Sequence, residues 1–178
     1  MANSKKKKLI PRVGILMGSD SDFSTMEEAS KVLGQFDVHH EILVSSAHRS
    51  PERTRNYVNN AKKRGTRVFI AGAGGAAHLA GVIAAESTLP VIGVPITSTL
   101  QGLDSLLSTA QMPGGIPVAT MAIGKAGAKN AGLLAVQILA LDDAGLAKQL
   151  LKYKKDQAKE VERKSKNLKT PYGESSSS

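Results

Sequence analysis

Short apolar runs alternate with segments of helical periodicity along most of the 178-residue chain. The runs are rich in valine and isoleucine, and three of them are almost continuous, as expected for strands that are covered on both faces. They predict five strands, at residues 13–17, 38–44, 67–71, 91–95 and 117–123. Apolar residues at helical spacing predict helices between and after them, over about 22–34, 51–64, 76–88, 103–110 and 126–141.

A helix in each crossover makes neighbouring strands parallel, with right-handed connections. The order therefore predicts an α/β fold, a doubly wound sandwich with a parallel sheet of about five strands, of the flavodoxin-like or Rossmann-like kind. The length suits one such domain, which we place at residues 13–143.

Composition changes after this domain. Residues 144–168 are rich in lysine and glutamate and predict one long C-terminal helix with an intermittent apolar stripe. The stripe is too thin to form a core of its own, so we expect the helix to pack against the domain or a neighbouring subunit. Residues 169–178, which end in four serines, predict a disordered tail.

The net charge of +9 is concentrated at the two ends. Residues 1–12 form a basic N-terminal extension with five basic groups and no acid, and residues 148–178 hold nine basic and four acidic groups. The chain between them is nearly neutral, and the whole chain has only six aromatic residues on which bases could stack. We therefore interpret the charge as solvated ends and not as a nucleic-acid site.

Several other classes are excluded or disfavoured. The chain has no cysteine, so it has no disulfide, thiolate metal site or thiol nucleophile. No apolar run approaches the ~18 residues of a membrane helix, and the start lacks the apolar region of a signal peptide. We expect a soluble, cytoplasmic protein that does not bind membranes.

Unusual residues follow the first three predicted strands, at residues 18–22, 45–51 and 72–78. In an open parallel sheet, ligands bind beyond the carboxyl ends of the strands, close to the point where the strand order reverses. Three strand ends that carry hydroxyl, acidic, histidine and arginine side chains therefore predict one shared crevice.

The first of these segments opens a helix. Gly18 lets the backbone approach a ligand, and the helix amides that follow favour an anion such as phosphate. Asp22 could accept hydrogen bonds from sugar hydroxyls. The alternative is ordinary helix capping by Ser19 or Ser21, which requires no ligand. The spacing fits neither a dinucleotide site nor a P-loop, so no cofactor is indicated.

The second segment carries the most chemistry. Pro51 suits the first position of a helix with Ser50 as its cap, which leaves His48 and Arg49 in the preceding turn. Arginine offers a planar fork for phosphate, and histidine has the unperturbed pKa nearest neutrality. A general acid/base beside a phosphate clamp is one interpretation, and an exposed turn with ordinary surface residues is the other.

The third segment is glycine-rich and then helical. Gly72, Gly74 and Gly75 could let the backbone approach a flat ligand, or could serve close packing of the helix on the sheet. We expect His78 to be less exposed than His48 and to have a structural or supporting role. The residue spacing indicates no metal site. The Gly/Pro-rich loop at 111–117 is either a lid or a rigid connector.

Taken together, residues 14–22, 46–51, 71–79 and 111–113 resemble the N5-carboxyaminoimidazole ribonucleotide mutases of purine biosynthesis, the class I branch of the PurE family. The resemblance extends over roughly residues 10–165. It implies a three-layer α/β/α fold and a homo-octamer whose active sites form between subunits, with the C-terminal helix reaching a neighbour. Phe23, Ala80 and Gly114 depart from the residues that are common in the family.

The resemblance also implies residue roles. His48 would be the catalytic acid/base, while Ser21, Ser46 and Arg49 would hold the phosphate of the ribonucleotide. Asp22 would bind the ribose hydroxyls, and Ser19 with the loop 72–75 would bind the aminoimidazole and the carboxylate. The complete implied substrate-binding set is Ser19, Ser21, Asp22, Ser46, Ala47, Arg49, Gly72, Ala73, Gly74, Gly75, His78 and Leu79.

The implied reaction moves a carboxylate from the exocyclic nitrogen of the aminoimidazole to ring carbon 4, without cofactor or metal. Two alternatives remain open at this point. One is a carboxylase that adds free carbon dioxide to aminoimidazole ribonucleotide on the same scaffold. The other is a non-enzymatic flavodoxin-like module that binds FMN or another phosphorylated ligand, although few aromatic residues are available to sandwich a flavin.

Overall fold

Five parallel strands form one sheet in the computed structural model, which describes residues 10–168. The strands are β1 (Val13–Met17), β2 (His40–Val44), β3 (Val68–Ala73), β4 (Val91–Pro95) and β5 (Ala119–Thr120), in the spatial order β2-β1-β3-β4-β5. This is the flavodoxin-like order, and it confirms the predicted fold class. The tail predicted at 169–178 and most of the extension predicted at 1–12 lie outside the described residues.

Helices cover both faces of the sheet. A short 3₁₀ turn at Asp20–Asp22 precedes the first of them, and the helices are α1 (Phe23–Gln35), α2 (Pro51–Arg64), α3 (Leu79–Glu86), α4 (Leu103–Ala110), α5 (Lys125–Ala140) and α6 (Ala144–Lys166). None of the helices in residues 10–168 is long and apolar enough to cross a membrane.

The core lies in two layers because successive strand side chains point to opposite faces. Ile15 of β1 packs in one buried cluster with residues of α1 and α5, such as Met26 and Ala131. Leu16, the next residue of β1, packs in the other cluster with Val58 of α2 and Ile83 of α3. Every residue of β1 and β4 is buried, which explains their nearly continuous apolar sequences.

β5 and α3 fall furthest short of the bounds that the apolar pattern predicted, and β2 and α6 are each two residues shorter than predicted. β5 contains two residues in place of the predicted 117–123. Val118 packs against the α2–α3 side of the sheet, and Ile123 lies close to Gly102. The third helix starts at Leu79 and not near residue 76, since the residues before it form tight turns in which the amide of His78 donates to the carbonyl of Ala76 at 2.8 Å.

α6 begins as the sequence predicted. Asp143 caps it by accepting a hydrogen bond from the amide of Leu146 at 3.2 Å. The first half of the helix packs on its own domain, where Tyr153 contacts Phe36 with 5.6 Å between ring centroids. Leu151 and Val161 are 64% and 67% exposed. Docking of this helix on a neighbouring subunit remains a prediction.

Candidate active site

A cavity of about 480 Å³ lies at the carboxyl edge of the sheet, where β1 stands between β2 and β3. The loops after the first four strands line it. Eleven of the thirteen residues that the sequence singled out are on its wall: Ser19, Ser21, Asp22, Ser46, Ala47, His48, Arg49, Ala73, Gly74, His78 and Leu79. The volume is in the range of small-molecule sites, and the cavity is the crevice that the three strand ends predicted.

His48 and His78 meet across this cavity. Nε2 of His48 lies 2.8 Å from Nδ1 of His78, and the rings are edge-on with centroids 4.9 Å apart. Both side chains are exposed in the single chain, and the expectation that His78 is the less exposed of the two stays a prediction. α3 starts only after His78, so this side chain lies in the loop that lines the cavity.

Arg49 stands beside His48 in the turn before α2. Its guanidinium donates to the carbonyl of Gly18 at 3.4 Å and, through Nε, to the hydroxyl of Ser46 at 3.5 Å. Within residues 10–168 no carboxylate forms a salt bridge with it. An exposed guanidinium held beside a serine hydroxyl suits an anionic ligand such as phosphate.

The turn after β1 is held by its own side chains. Ser19 caps the 3₁₀ turn, and its amide donates to Oδ2 of Asp22 at 3.1 Å, which completes a capping box. Asp22 is only 8% exposed. Burial raises the pKa of its carboxyl above the ordinary value, although the hydrogen bonds from Ser19 and Ser21 act in the opposite direction. The capping interpretation is therefore correct for Ser19, and Ser21 and Asp22 still face the cavity.

Two of the predicted glycines do not lie on the cavity wall. Gly72 is buried within β3, and a Cβ built there would lie 2.3 Å from Sδ of Met26 on α1. Close packing of α1 on the sheet therefore explains Gly72. Gly75 has a φ of +64°, in the left-handed region that favours glycine. Its amide donates a hydrogen bond to the hydroxyl of Ser105, and its carbonyl accepts one from the hydroxyl of Ser108, both on α4.

The end of β4 contributes residues that the sequence analysis missed. Ile96, Thr97 and Ser98 line the cavity opposite the first two loops. The sequence holds a signal for them, because a run of hydroxyl residues starts two residues after the fourth strand, and hydroxyl residues also follow the first two strands. The carboxyl ends of four strands, and not only of the three that the sequence analysis singled out, therefore line the cavity.

Other residues that the sequence analysis considered lie outside this cavity. The loop at 111–117 contributes no residue to this cavity, and Met112 packs beside Gly81 on α3. His40 has a structural role, since its ring contacts the hydroxyl of Ser30 at 2.6 Å and the carbonyl of Val38 at 2.8 Å. In the described part of the chain no group of three or more histidine, aspartate or glutamate side chains could hold a metal ion.

This chain is similar over most of its length to proteins of one family. The family model described as AIR carboxylase matches residues 12–160. A protein of Thermotoga maritima named N5-carboxyaminoimidazole ribonucleotide mutase is 53% identical over 160 residues, which cover 89% of this chain and 92% of that protein. A protein of the same name from Bacillus subtilis is 59% identical over 141 residues, 79% of this chain and 87% of that one.

The fold is also found among solved structures. A crystal structure of Treponema denticola PurE superposes with a TM-score of 0.81 at 28% sequence identity. The match covers 89% of this chain and 98% of that one. This chain and that protein therefore share the α/β architecture over most of their lengths.

Proposed function

This chain belongs to the AIR carboxylase family, and from that premise we propose that it is an N5-carboxyaminoimidazole ribonucleotide mutase with His48 as its catalytic acid/base. The observation that carries the assignment is the meeting of His48, Arg49 and the serine-rich turn after β1 on one cavity wall. The curated relatives bear the mutase name, and nothing favours a carboxylase that uses free carbon dioxide or a non-enzymatic phospholigand module.

The reaction needs one proton to be given and one to be taken back. His48 protonates the carbamate nitrogen of the substrate, the nitrogen–carbon bond breaks with its electrons left on nitrogen, and carbon dioxide departs. The electron-rich ring then attacks carbon dioxide through carbon 4, and His48 removes the proton from that carbon. The histidine ends in the protonation state in which it began, so one residue suffices for both transfers.

The remaining side chains are suited to hold the nucleotide. Arg49 contacts the hydroxyl of Ser46, and Ser21 lies on the same cavity wall, so together they offer a guanidinium fork and two hydroxyls as donors to one phosphate. Asp22 lines the same cavity, and we expect its carboxylate to accept hydrogen bonds from the ribose hydroxyls. The loop with Gly74 is then left for the aminoimidazole and its carboxylate, next to His48.

Confinement is the second requirement of this chemistry. Carbon dioxide must stay beside the ring long enough to be recaptured, and holding the two fragments together gives recombination a large effective molarity. In the single chain His48 and His78 are exposed. We propose that a neighbouring subunit closes the cavity in a homo-octamer, that α6 docks on such a neighbour, and that the enzyme works in the cytoplasm without metal or cofactor.

Exposed leucines of α4, of the turn before it and of α6 support this assembly. Leu100, Leu103 and Leu107 are 62%, 53% and 45% exposed, and Leu151 is 64% exposed. Light scattering on Leu151→Glu tests the docking of α6, with Gln157→Glu on the same helix as the control. We expect a smaller assembly for the leucine variant only; an unchanged mass would remove this part of α6 from the interface.

A direct assay tests the proposed activity. The purified chain is mixed with N5-carboxyaminoimidazole ribonucleotide in buffer freed of bicarbonate, and the carbon-4 carboxylated isomer is measured. We expect conversion well above the rate without protein. No conversion under these conditions, together with conversion of aminoimidazole ribonucleotide when bicarbonate is added, would support the carboxylase in its place.

A further inference from the structure

α4 lies outside the cavity, but its hydroxyl groups hold the loop that carries His78. Ser105 is fully buried, and its oxygen accepts a hydrogen bond from the amide of Gly75 at 2.9 Å. Its single hydrogen is donated to the carbonyl of Ile96 at 2.7 Å. One buried hydroxyl thus joins the loop after β3 to the loop after β4, and both loops line the cavity.

A second hydroxyl of the same helix holds the other polar group of Gly75. Ser108 donates to the carbonyl of Gly75 at 3.3 Å. Ser105 and Ser108 are three residues apart, so they lie on one face of α4. Gly75 is therefore bound through both its amide and its carbonyl, in the left-handed conformation that the turn requires.

The turn leads directly from Gly75 to the histidine pair. The carbonyl of Gly75 also accepts from the amide of Ala77 at 2.8 Å, and the carbonyl of Ala76 accepts from the amide of His78 at 2.8 Å. His78 in turn meets His48 at 2.8 Å. A shift of Gly75 would consequently move His78 and change its contact with His48.

We propose that Ser105 and Ser108 are positioning residues for the reaction, which act by anchoring Gly75 and thereby set the place of His78 beside His48. The expected effect on turnover rests on the proposed mutase function, whereas the anchoring of Gly75 by the two serines does not. Neither serine lines the cavity, so any effect they have on turnover passes through the loops that they hold, and a His78→Asn background separates the Gly75 loop from the loop after β4.

The chain offers a matched control on the same helix. Thr109 is 2% exposed, and its hydroxyl donates to the carbonyl of Ser105 at 2.7 Å without touching Gly75. Thr109→Val and Ser105→Ala each remove one buried hydroxyl from α4, but only Ser105→Ala releases the loop. Ser108 is only half-buried, so Ser108→Ala provides a second variant if Ser105→Ala does not fold.

Two measurements on these variants decide the proposal. For Ser105→Ala we expect kcat to fall roughly 10- to 100-fold, the size expected when a reacting group is displaced by about 1 Å. KM should change less than kcat, because the phosphate and ribose contacts lie on other loops and only the aminoimidazole contacts lie on this one. Deuterium uptake in the peptide that contains Gly75 should become faster. Ser108→Ala should show both effects more weakly, and Thr109→Val neither.

A double substitution tests the route through His78. If Ser105 acts by placing that histidine, Ser105→Ala should change kcat less than about twofold in a His78→Asn background. Undiminished loss in that background, equal losses in Thr109→Val, or unchanged deuterium uptake in Ser105→Ala would each overturn the proposal. Faster uptake in a chain that shows no mutase activity would instead leave the anchor standing and count against the proposed function alone.

Discussion

His48 Nε2 and His78 Nδ1 lie 2.8 Å apart although thirty residues separate them along the chain. A neutral imidazole carries one N–H and one lone pair, so this contact needs a hydrogen on one of the facing nitrogens and a lone pair on the other. The position of the hydrogen on one ring is therefore linked to its position on the other. Such a pair suits a reaction in which one proton is given and later recovered.

Replacing His48 by asparagine tests its role as acid/base. We expect kcat to fall by roughly 10²–10⁴, the usual contribution of a general acid/base. The ribonucleotide should still bind, because the phosphate and ribose contacts belong to other side chains. Steady-state kinetics and calorimetric titration measure the two effects, with His39→Asn as the exposed control. A variant that turns over at the wild-type rate would contradict the assignment.

Arg49→Ala should weaken nucleotide binding through the phosphate alone. Loss of a charge-assisted contact costs about 1.5–3 kcal/mol, or roughly 10- to 150-fold in Kd. Affinity for the corresponding riboside, which has no phosphate, should hardly change. Arg53→Ala, an exposed arginine one turn further along α2, is the control. If ribotide and riboside are weakened equally, the guanidinium acts elsewhere in the site.

Asp22→Asn should change the pH dependence of stability. Burial raises the pKa of Asp22 in the folded chain, so folding favours the protonated carboxyl. The contribution of this group to the free energy of unfolding is greatest below its ordinary pKa of 3.8 and declines as pH rises through the higher folded value. Asparagine carries no charge, so the variant should gain in stability relative to wild type across that interval.

Urea titrations at several pH values measure this difference, and Asp20→Asn is the control at a neighbouring exposed carboxylate. The same Asp22 variant should bind the ribonucleotide more weakly, since an acceptor for the ribose hydroxyls is lost. If the free energies of unfolding of wild type and Asp22→Asn differ by the same amount at every pH, burial of the charged carboxylate does not explain the difference.

Gly72→Ala should destabilise the fold without affecting ligand contacts. The new methyl group would lie 2.3 Å from Sδ of the fully buried Met26, and overpacking of this kind costs about 1–3 kcal/mol. Gly34 on α1 has no atom within 4 Å of its Cβ position, so Gly34→Ala should be neutral or stabilising. Chemical denaturation compares the two; equal stabilities would contradict the packing role of Gly72.

Much of the fold could be predicted because the strands β1 and β4 are buried on both faces and leave an unmistakable apolar run. The pattern failed at β5, where Val118 and Ile123 are apolar for packing outside the sheet. Strand ends predicted the cavity wall, since parallel strands bring their carboxyl ends together. The sequence could not show that Gly72 and Gly74 have different roles. Only the packed structure shows that Gly72 lies against Met26 and that Gly74 lines the cavity.

The contact between His48 and His78 could likewise not be predicted from the sequence. It depends on where α3 begins, and that boundary is set by two tight turns that depend on Gly75 and its partners on α4. Ser105 and Ser108 lie thirty or more residues away from the loop they hold, and no local pattern indicates such a pairing.

The origin of the product carboxylate tests the mutase account most directly. Substrate with a ¹³C-labelled carbamate is turned over in unlabelled bicarbonate, with carbonic anhydrase present so that any escaped carbon dioxide equilibrates with the medium. If carbon dioxide is released and recaptured within one closed site, the early product should retain nearly all of the label. Product that takes its carboxylate from the medium as fast as it forms would contradict the account and identify a carboxylase.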